Sequence, residues 1–280
     1  IHETLALAGF LSKESNGTSA ASRPRNITVI IGNPPYSVSS ANKGEYIDGL
    51  MARYKEAIRD ERNIQPLSDD YIKFIRFAHD CIERNGCGVI GMITNHSYLS
   101  GLIHRGMREE LMRTFDEIYV LNLHGNAIMR ETAPDGGPDK NVFDIRQGVT
   151  LSFFVKKQKM RDNSLARVQY VDLWGLRKGK YCYLLENDVS TTTDWQELTP
   201  EATPNFFFVP REIDLLEEYE RGWRVPDVLQ INNSGIKTHR DRFVIDFEGE
   251  KLRSRIIAFR GKALSDDEIQ ERFSIRERGS

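Results

Sequence analysis

An apolar run, Ile27-Thr28-Val29-Ile30-Ile31, is stopped by Gly32-Asn33-Pro34-Pro35-Tyr36. The run reads as a buried parallel strand. Two consecutive prolines remove backbone donors and bar the helical region to the residue before them, so neither a ladder nor a helix continues through Asn33. The chain must turn there and present the Asn33 side chain, free carbonyls and the Tyr36 ring at the strand's carboxyl end. In open α/β sheets that edge is where ligands bind. An accepting amide, a carbonyl and an aromatic face together suit the hydrogen-bonding of an exocyclic amine with stacking on the ring that carries it. The competing reading is that Pro34-Pro35 only closes a strand and Tyr36 is a rim aromatic.

The segments that follow alternate. Apolar positions Ile72, Ile75 and Cys81-Ile82, flanked by Phe74 and Phe77, predict a helix near 67–84 that stops at Asn85-Gly86-Cys87-Gly88. Val89 to Ile93 reads as a second buried strand, Asn95 to Leu99 as a turn, and 102–115 as a helix. Strands are expected near 117–122 and 149–155, with one more near 168–172. Ser37 to Gln65 is a long polar segment with one helix from Tyr46 to Glu61. Met129 to Lys140, with Pro134, Gly136, Gly137 and Pro138, reads as a flexible loop, and Leu173 to Thr203 as irregular. Phe206-Phe207-Phe208-Val209-Pro210 opens a new unit with a helix from Arg211 to Glu220.

Asn33-Pro34-Pro35-Tyr36 after an apolar strand resembles the catalytic motif of adenine-N6 DNA methyltransferases. The order of strand, motif, long loop, Tyr71-x-x-Phe74 helix, glycine turn and strand is similar to their γ arrangement. The resemblance implies that a target adenine leaves the duplex and that the Asn33 side chain and the Pro34 carbonyl accept hydrogen bonds from its N6 amine. Pro35 completes the motif and Tyr36 stacks on the base. Phe143, in the approach to the strand ending at Lys156, is the counterpart of a ring on the base's other face. Phe74 is the counterpart of a ring lying against the adenine of S-adenosylmethionine. The chemistry is coherent: two acceptors on the amine hydrogens favour a pyramidal nitrogen and stabilise its developing positive charge. Each stacking ring returns about 1–3 kcal/mol toward the cost of extrusion. Without the family, Phe74 and Phe143 read equally as core phenylalanines.

Three further segments, Ile1 to Ala8, Tyr119 to Asn126 and Ser234 to Asp241, look like the type ISP restriction–modification enzymes. In those a nuclease, a helicase-like ATPase, a methyltransferase and a target-recognition domain share one polypeptide. The implied fold class is α/β: the C-terminal, substrate half of a Rossmann-like methyltransferase sheet followed by the start of an α+β target-recognition region. The expected division is a partial catalytic domain at 1–160, a connector at 161–204 and the start of the DNA-binding region at 205–280. The family's Gly-rich S-adenosylmethionine turn should precede the motif strand. The residues before it hold only isolated Gly9 and Gly17 and a polar stretch, Ser12 to Arg25, that reads as a loop. The chain is therefore expected to be a fragment, with the main cofactor grip upstream and little methylation by itself. Expected partners are double-stranded DNA, the upstream methyltransferase half and the nuclease and helicase-like domains. In that setting the long loop after the motif could close over the extruded base. The alternative is a non-catalytic DNA-recognition or coupling module. A cytosine-N4 enzyme is a closer variant, but those more often begin the motif with Ser.

The 39 basic and 41 acidic residues leave a net charge of −2, unusual for a DNA binder, so any basic surface must be local. From Gly235 to Lys262 eight Lys/Arg face four acids. Lys237, Arg240, Arg242, Arg253 and Arg255 are candidate phosphate contacts, with Phe243 and Phe259 interleaved. A solvated helix face is the competing reading. Ser265-Asp266-Asp267-Glu268 reads as a helix N-cap followed by acids. No apolar run is long enough to cross a membrane. Cys81, Cys87 and Cys182 lack metal-ligand spacing, and the scattered histidines, His96 and His104 included, read as exposed or core-satisfied, so no metal is expected. Reduced thiols and the resemblance together imply a prokaryotic cytoplasm.

Overall fold

A computed structural model describes residues 28–36, 40–61, 63–158, 164–192, 194–229, 231, 241–261 and 265–273. The expectations for residues 1–25, and for Lys237 and Arg240, lie outside these residues. By compactness the chain divides into Ile1–Leu216 and Glu217–Ser280.

Among the described residues the first unit is built on a six-stranded sheet of order β1-β2-β4-β3-β5-β6. The strands are β1 (Val29–Gly32), β2 (Gly88–Asn95), β3 (Glu117–His124), β4 (Val149–Lys156), β5 (Arg167–Asp172) and β6 (Gln196–Leu198). β1 runs parallel to β2 and β3 parallel to β5, while β4 lies antiparallel between β2 and β3. The carboxyl ends of β1, β2, β3 and β5 therefore share one edge. The α/β class expected from the sequence is borne out by this mixed sheet.

Alternation splits the side chains between two cores. Ile118 and Val120 of β3 join Ile90, Met92, Phe154 and Val168 under α1 (Glu45–Lys55), α2 (Asp70–Asn85) and α3 (Arg105–Thr114). Leu121 and Leu123 join Val149 and Val171 on the opposite face, where Tyr183 and Leu184 of α4 (Arg177–Glu186) pack. α2 begins where Asp69 accepts a hydrogen bond from the Tyr71 N–H and ends at Gly86, whose φ of 84° lets its N–H reach the carbonyls of Ile82 and Glu83.

Several expectations need correction. β1 forms as read, but it is not buried: it pairs with β2 alone among the described residues, and Val29 and Ile31 are 58% and 84% exposed. The helix read from Tyr46 to Glu61 does form, as α1 followed by a short 3₁₀ turn at Glu56–Ile58, but it is not polar all round. Ile47, Met51, Tyr54 and Ile58 recur at helical spacing among charged residues, and the last three are buried in the first core. The segment 161–204 is more than a connector: β5 and β6 extend the sheet and α4 covers it. Nor do Phe206 to Pro210 open a new unit. Phe208 is fully buried in the first core and its N–H donates to the Leu99 carbonyl at 2.9 Å. The cause is Arg108, a fully buried cation that donates to the carbonyls of Tyr98, Gly101, Asn205 and Phe206 at 2.5–3.1 Å. The predicted helix is confined to α5 (Leu216–Glu220).

The described elements of the second unit are short helices. After α6 (Val225–Val228) come α7 (Asp241–Val244), α8 (Gly249–Arg260) and α9 (Asp266–Phe273). Phe243 meets Phe259 and Phe273 edge-on at 5.1 and 5.2 Å. Ser265 caps α9 as read: the Glu268 N–H donates to Ser265 Oγ at 3.3 Å, and the Ser265 N–H to Glu268 Oε2 at 2.8 Å.

Candidate active site

The proline pair ends β1 at Gly32 and turns the chain at the shared carboxyl edge. Asn33 is exposed there, and no described residue hydrogen-bonds its side chain. Pro34 is buried, Pro35 exposed and Tyr36 half-buried. The Tyr36 ring meets Tyr71 of α2 edge-on, with centroids 5.9 Å apart. Its hydroxyl is buried with no partner among the described residues. Burial, then the nearby Asp69 carboxylate, push its pKa upward, so the phenol keeps its proton. A buried, unmatched hydroxyl costs about 1–3 kcal/mol and calls for an explanation. Phe74, one turn beyond Tyr71 on α2, is half-buried.

Phe143 is half-buried against the second core. Its N–H donates to Asn141 Oδ1 at 2.8 Å, and its carbonyl accepts from Arg177 at 2.8 Å. Arg177 also donates to the Asn141 carbonyl and to Asp144. The stretch read as a flexible loop is pinned at Asp139, which forms a fully buried ion pair with Lys180 at 2.6 Å and accepts the N–H groups of Gly125 and Gly175. Gly125 lies at φ 81°, and a Cβ there would sit 2.4 Å from Asn141 Cα, so this approach requires glycine. Phe143 thus packs with one face of the sheet and Tyr36 with the other. The structure brings both to one edge without stacking them on each other.

The same edge holds a polar cluster that the sequence reading missed. Between Asn122 and His124 the β3–β4 register shifts, and His124 adopts φ 52°. Its Nε2 lies 2.6 Å from Asp172 Oδ1 and its Nδ1 3.5 Å from Glu131 Oε1. The ring stacks on Trp174 at 3.3 Å. His96 Nδ1 lies 3.2 Å from Asn122 Oδ1, and its Nε2 3.1 Å from Asn126 Nδ2. His96, His124, Glu131, Asp172, Trp174 and Arg211 help line an open cavity of about 380 Å³. Burial pulls the His124 pKa down, but hydrogen bonds to Asp172 and Glu131 outweigh it and leave the net shift upward. His96, without a bound carboxylate, is lowered by burial. No single segment carries this pattern, because its members come from different strand ends and loops.

In the second unit Arg253 is exposed on α8, whereas Arg255 is half-buried, donating to the Phe243 carbonyl at 3.0 Å and to Asp246. Arg242 lies in α7. Phe243 is buried and meets Phe259 edge-on, while Phe259 stays exposed. Cys81 and Cys87 are half-buried and Cys182 is exposed, and none of them is in a disulfide among the described residues. Among the described residues no helix is long and apolar enough to cross a membrane.

Residues 12–128 match the Eco57I restriction-modification methylase family. No curated protein matches the chain. The ATP-dependent type ISP restriction-modification enzyme LlaBIII bound to DNA is 26% identical, with a TM-score of 0.61 over 95% of this chain and 20% of its own. A nuclease-deletion mutant of the type ISP enzyme LlaGI with a DNA substrate mimic is 25% identical, with a TM-score of 0.60 over 82% of this chain and 22% of its own. The DrdV–DNA complex, 23% identical with a TM-score of 0.62 over 85% of this chain and 25% of its own, shares the fold. The chain spans about a fifth to a quarter of the length of these structures. The resemblance read from the sequence, to the methyltransferase region of type ISP enzymes, is borne out.

Proposed function

We propose that a chain so similar to the methyltransferase region of type ISP enzymes is part of a site-specific DNA adenine-N6 methyltransferase within a restriction–modification enzyme. It acts on a flipped adenine, with S-adenosylmethionine as methyl donor. One observation carries the reading: an exposed carboxamide, Asn33, without a partner among the described residues, at the carboxyl end of a parallel strand and ahead of a buried proline.

Asn33 Oδ1 and the Pro34 carbonyl accept the two N6 hydrogens of the base. That draws the nitrogen lone pair out of conjugation and stabilises positive charge on N6. Tyr36, seated on Tyr71, offers its ring to one face of the base, and its unmatched hydroxyl has a partner in prospect when DNA is bound. Phe143, held through its backbone by Asn141 and Arg177, offers the second ring. A base bound between them bridges the two faces of the edge, which Phe143 and Tyr36 do not bridge by themselves. The bound cofactor supplies an electrophilic methyl on a sulfonium. This chain's own contribution to holding it is the Phe74 ring, half-buried on α2. The apolar Val29 and Ile31, exposed on a strand that pairs with β2 alone among the described residues, fit a sheet completed by the half that carries the main cofactor turn. Arg253, exposed on α8, remains a phosphate contact under this reading. Double-stranded DNA, the upstream half and the nuclease and helicase-like domains are the partners, in a prokaryotic cytoplasm.

The test is methyl transfer to duplex DNA by the whole enzyme. Asn33→Ala lowers tritium incorporation by about 10²–10³-fold, the loss typical of one transition-state donor or acceptor, and Tyr36→Ala by about 10–100-fold, the loss of one stacking ring, while DNA binding persists. If neither substitution alters methylation, the reading fails. Tight DNA binding without any methylation by the unmodified enzyme favours a recognition module instead.

A further inference from the structure

We propose that His96, His124 and Glu131 form a binding site for a divalent first-row transition metal such as Zn²⁺, tying the ends of β2 and β3 to the loop that follows β3. One ligand atom from each lies within 4.8 Å of the other two. Two imidazoles and one carboxylate are a donor set that borderline metals such as zinc accept. Donor atoms around one tetrahedral zinc lie about 3.4 Å apart, so the His124–Glu131 separation of 3.5 Å already fits. A side-chain movement of about 1 Å brings in the third donor.

Four features distinguish the cluster from a chance gathering. His124 is aimed by a register shift in β3 and by a left-handed backbone, φ 52°, that non-glycine residues adopt at a cost. Asp172 Oδ1, 2.6 Å from His124 Nε2, accepts that ring proton, and Nδ1 faces Glu131 Oε1 at 3.5 Å and the Asn122 amide at 3.4 Å, so a metal held there would take the place of any Nδ1 proton and turn the amide aside. Carboxylates behind metal-binding histidines commonly accept a ring proton in this way. Asp172 is itself fixed by the Tyr170 hydroxyl. His96 donates from Nδ1 to Asn122, which leaves its Nε2 lone pair for the metal, and the Asn126 N–H holds Glu131 Oε2 at 2.8 Å. Three protein donors leave a fourth position for water or a ligand in the 380 Å³ cavity beside them. On binding, the metal displaces the Asn126 amide from His96 Nε2.

The inference does not depend on the methyltransferase reading, and its test is metal binding itself. The full chain, stripped with EDTA, is titrated with Co²⁺ while visible absorbance is recorded. One Co²⁺ per chain is expected, with the intense visible bands of a low-coordinate site, and Zn²⁺ displaces it. His96→Ala and Glu131→Gln each weaken binding at least tenfold with the circular dichroism spectrum unchanged. A wild-type chain that binds no stoichiometric Co²⁺ overturns the proposal without recourse to any variant. Stoichiometric binding that both folded variants retain marks an adventitious ion elsewhere and overturns it equally.

Discussion

Two neighbourhoods on one sheet edge differ in how their polar groups are satisfied. At the end of β1, Asn33 has no partner among the described residues, and Tyr36 holds an unmatched hydroxyl. At the ends of β3 and β5, Asn122, His124, Tyr170 and Asp172 bind one another, and behind them Asp139 and Lys180 form a fully buried ion pair. Hydrogen bonds already made within a protein hold its geometry, whereas groups left unmade remain for a ligand. The first neighbourhood has the character of a recognition surface and the second of a support, one that carries Phe143 through Asn141 and Arg177.

The contrast can be broken by stability measurements. Lys180→Met strands the Asp139 carboxylate in the interior, and urea unfolding should register a loss of about 3–5 kcal/mol. A loss below about 1 kcal/mol, the range of exposed pairs, would mean that water reaches the pair and that the support is soft. Gly125→Ala forces a side chain into a left-handed backbone and against Asn141. It should cost roughly 1–3 kcal/mol by the same assay, and should also lower methylation by the whole enzyme because the Phe143 loop shifts. In the second unit, Ser265→Ala removes the cap of α9 and should cost about 1 kcal/mol locally, seen as faster amide exchange over 266–273. The smallest effect belongs to Asn33→Ala. An exposed side chain with no partner should change stability by less than about 0.5 kcal/mol. A large loss of stability there would place Asn33 with the support rather than with recognition.

Much of the fold was legible in the sequence because contiguous apolar runs bounded by turn residues mark strands directly. β1 to β5 and α2 follow that signal, and Gly86 stops α2 where the glycine turn was read. The burial of β1 was not legible, since a run apolar on both faces implies a cover that the described residues do not supply. The helix read from Tyr46 to Glu61 forms as α1, but its burial was hidden by its charges: Arg53 pairs with Glu83 at 2.7 Å while Met51 and Tyr54 vanish into the core. Of the candidate site, the Asn33-to-Tyr36 turn could be read because four adjacent residues carry it. His96, His124 and Glu131 could not, because a bulge and two loops assemble them and no local spacing records it. Arg255 reads from composition as a phosphate contact, yet it is engaged with Asp246 and the Phe243 carbonyl.

Arg108 decides where this polypeptide tolerates being cut. Its guanidinium is housed by four backbone oxygens, and two of those belong to Asn205 and Phe206. A version terminated at 204 would strip away half of that housing together with the Phe208 plug. Arg108 would then keep only the Tyr98 and Gly101 carbonyls, and the core beneath Phe208 would open to water. One terminated at 216 keeps both, which makes that the better stopping place for dissecting the first unit from the second.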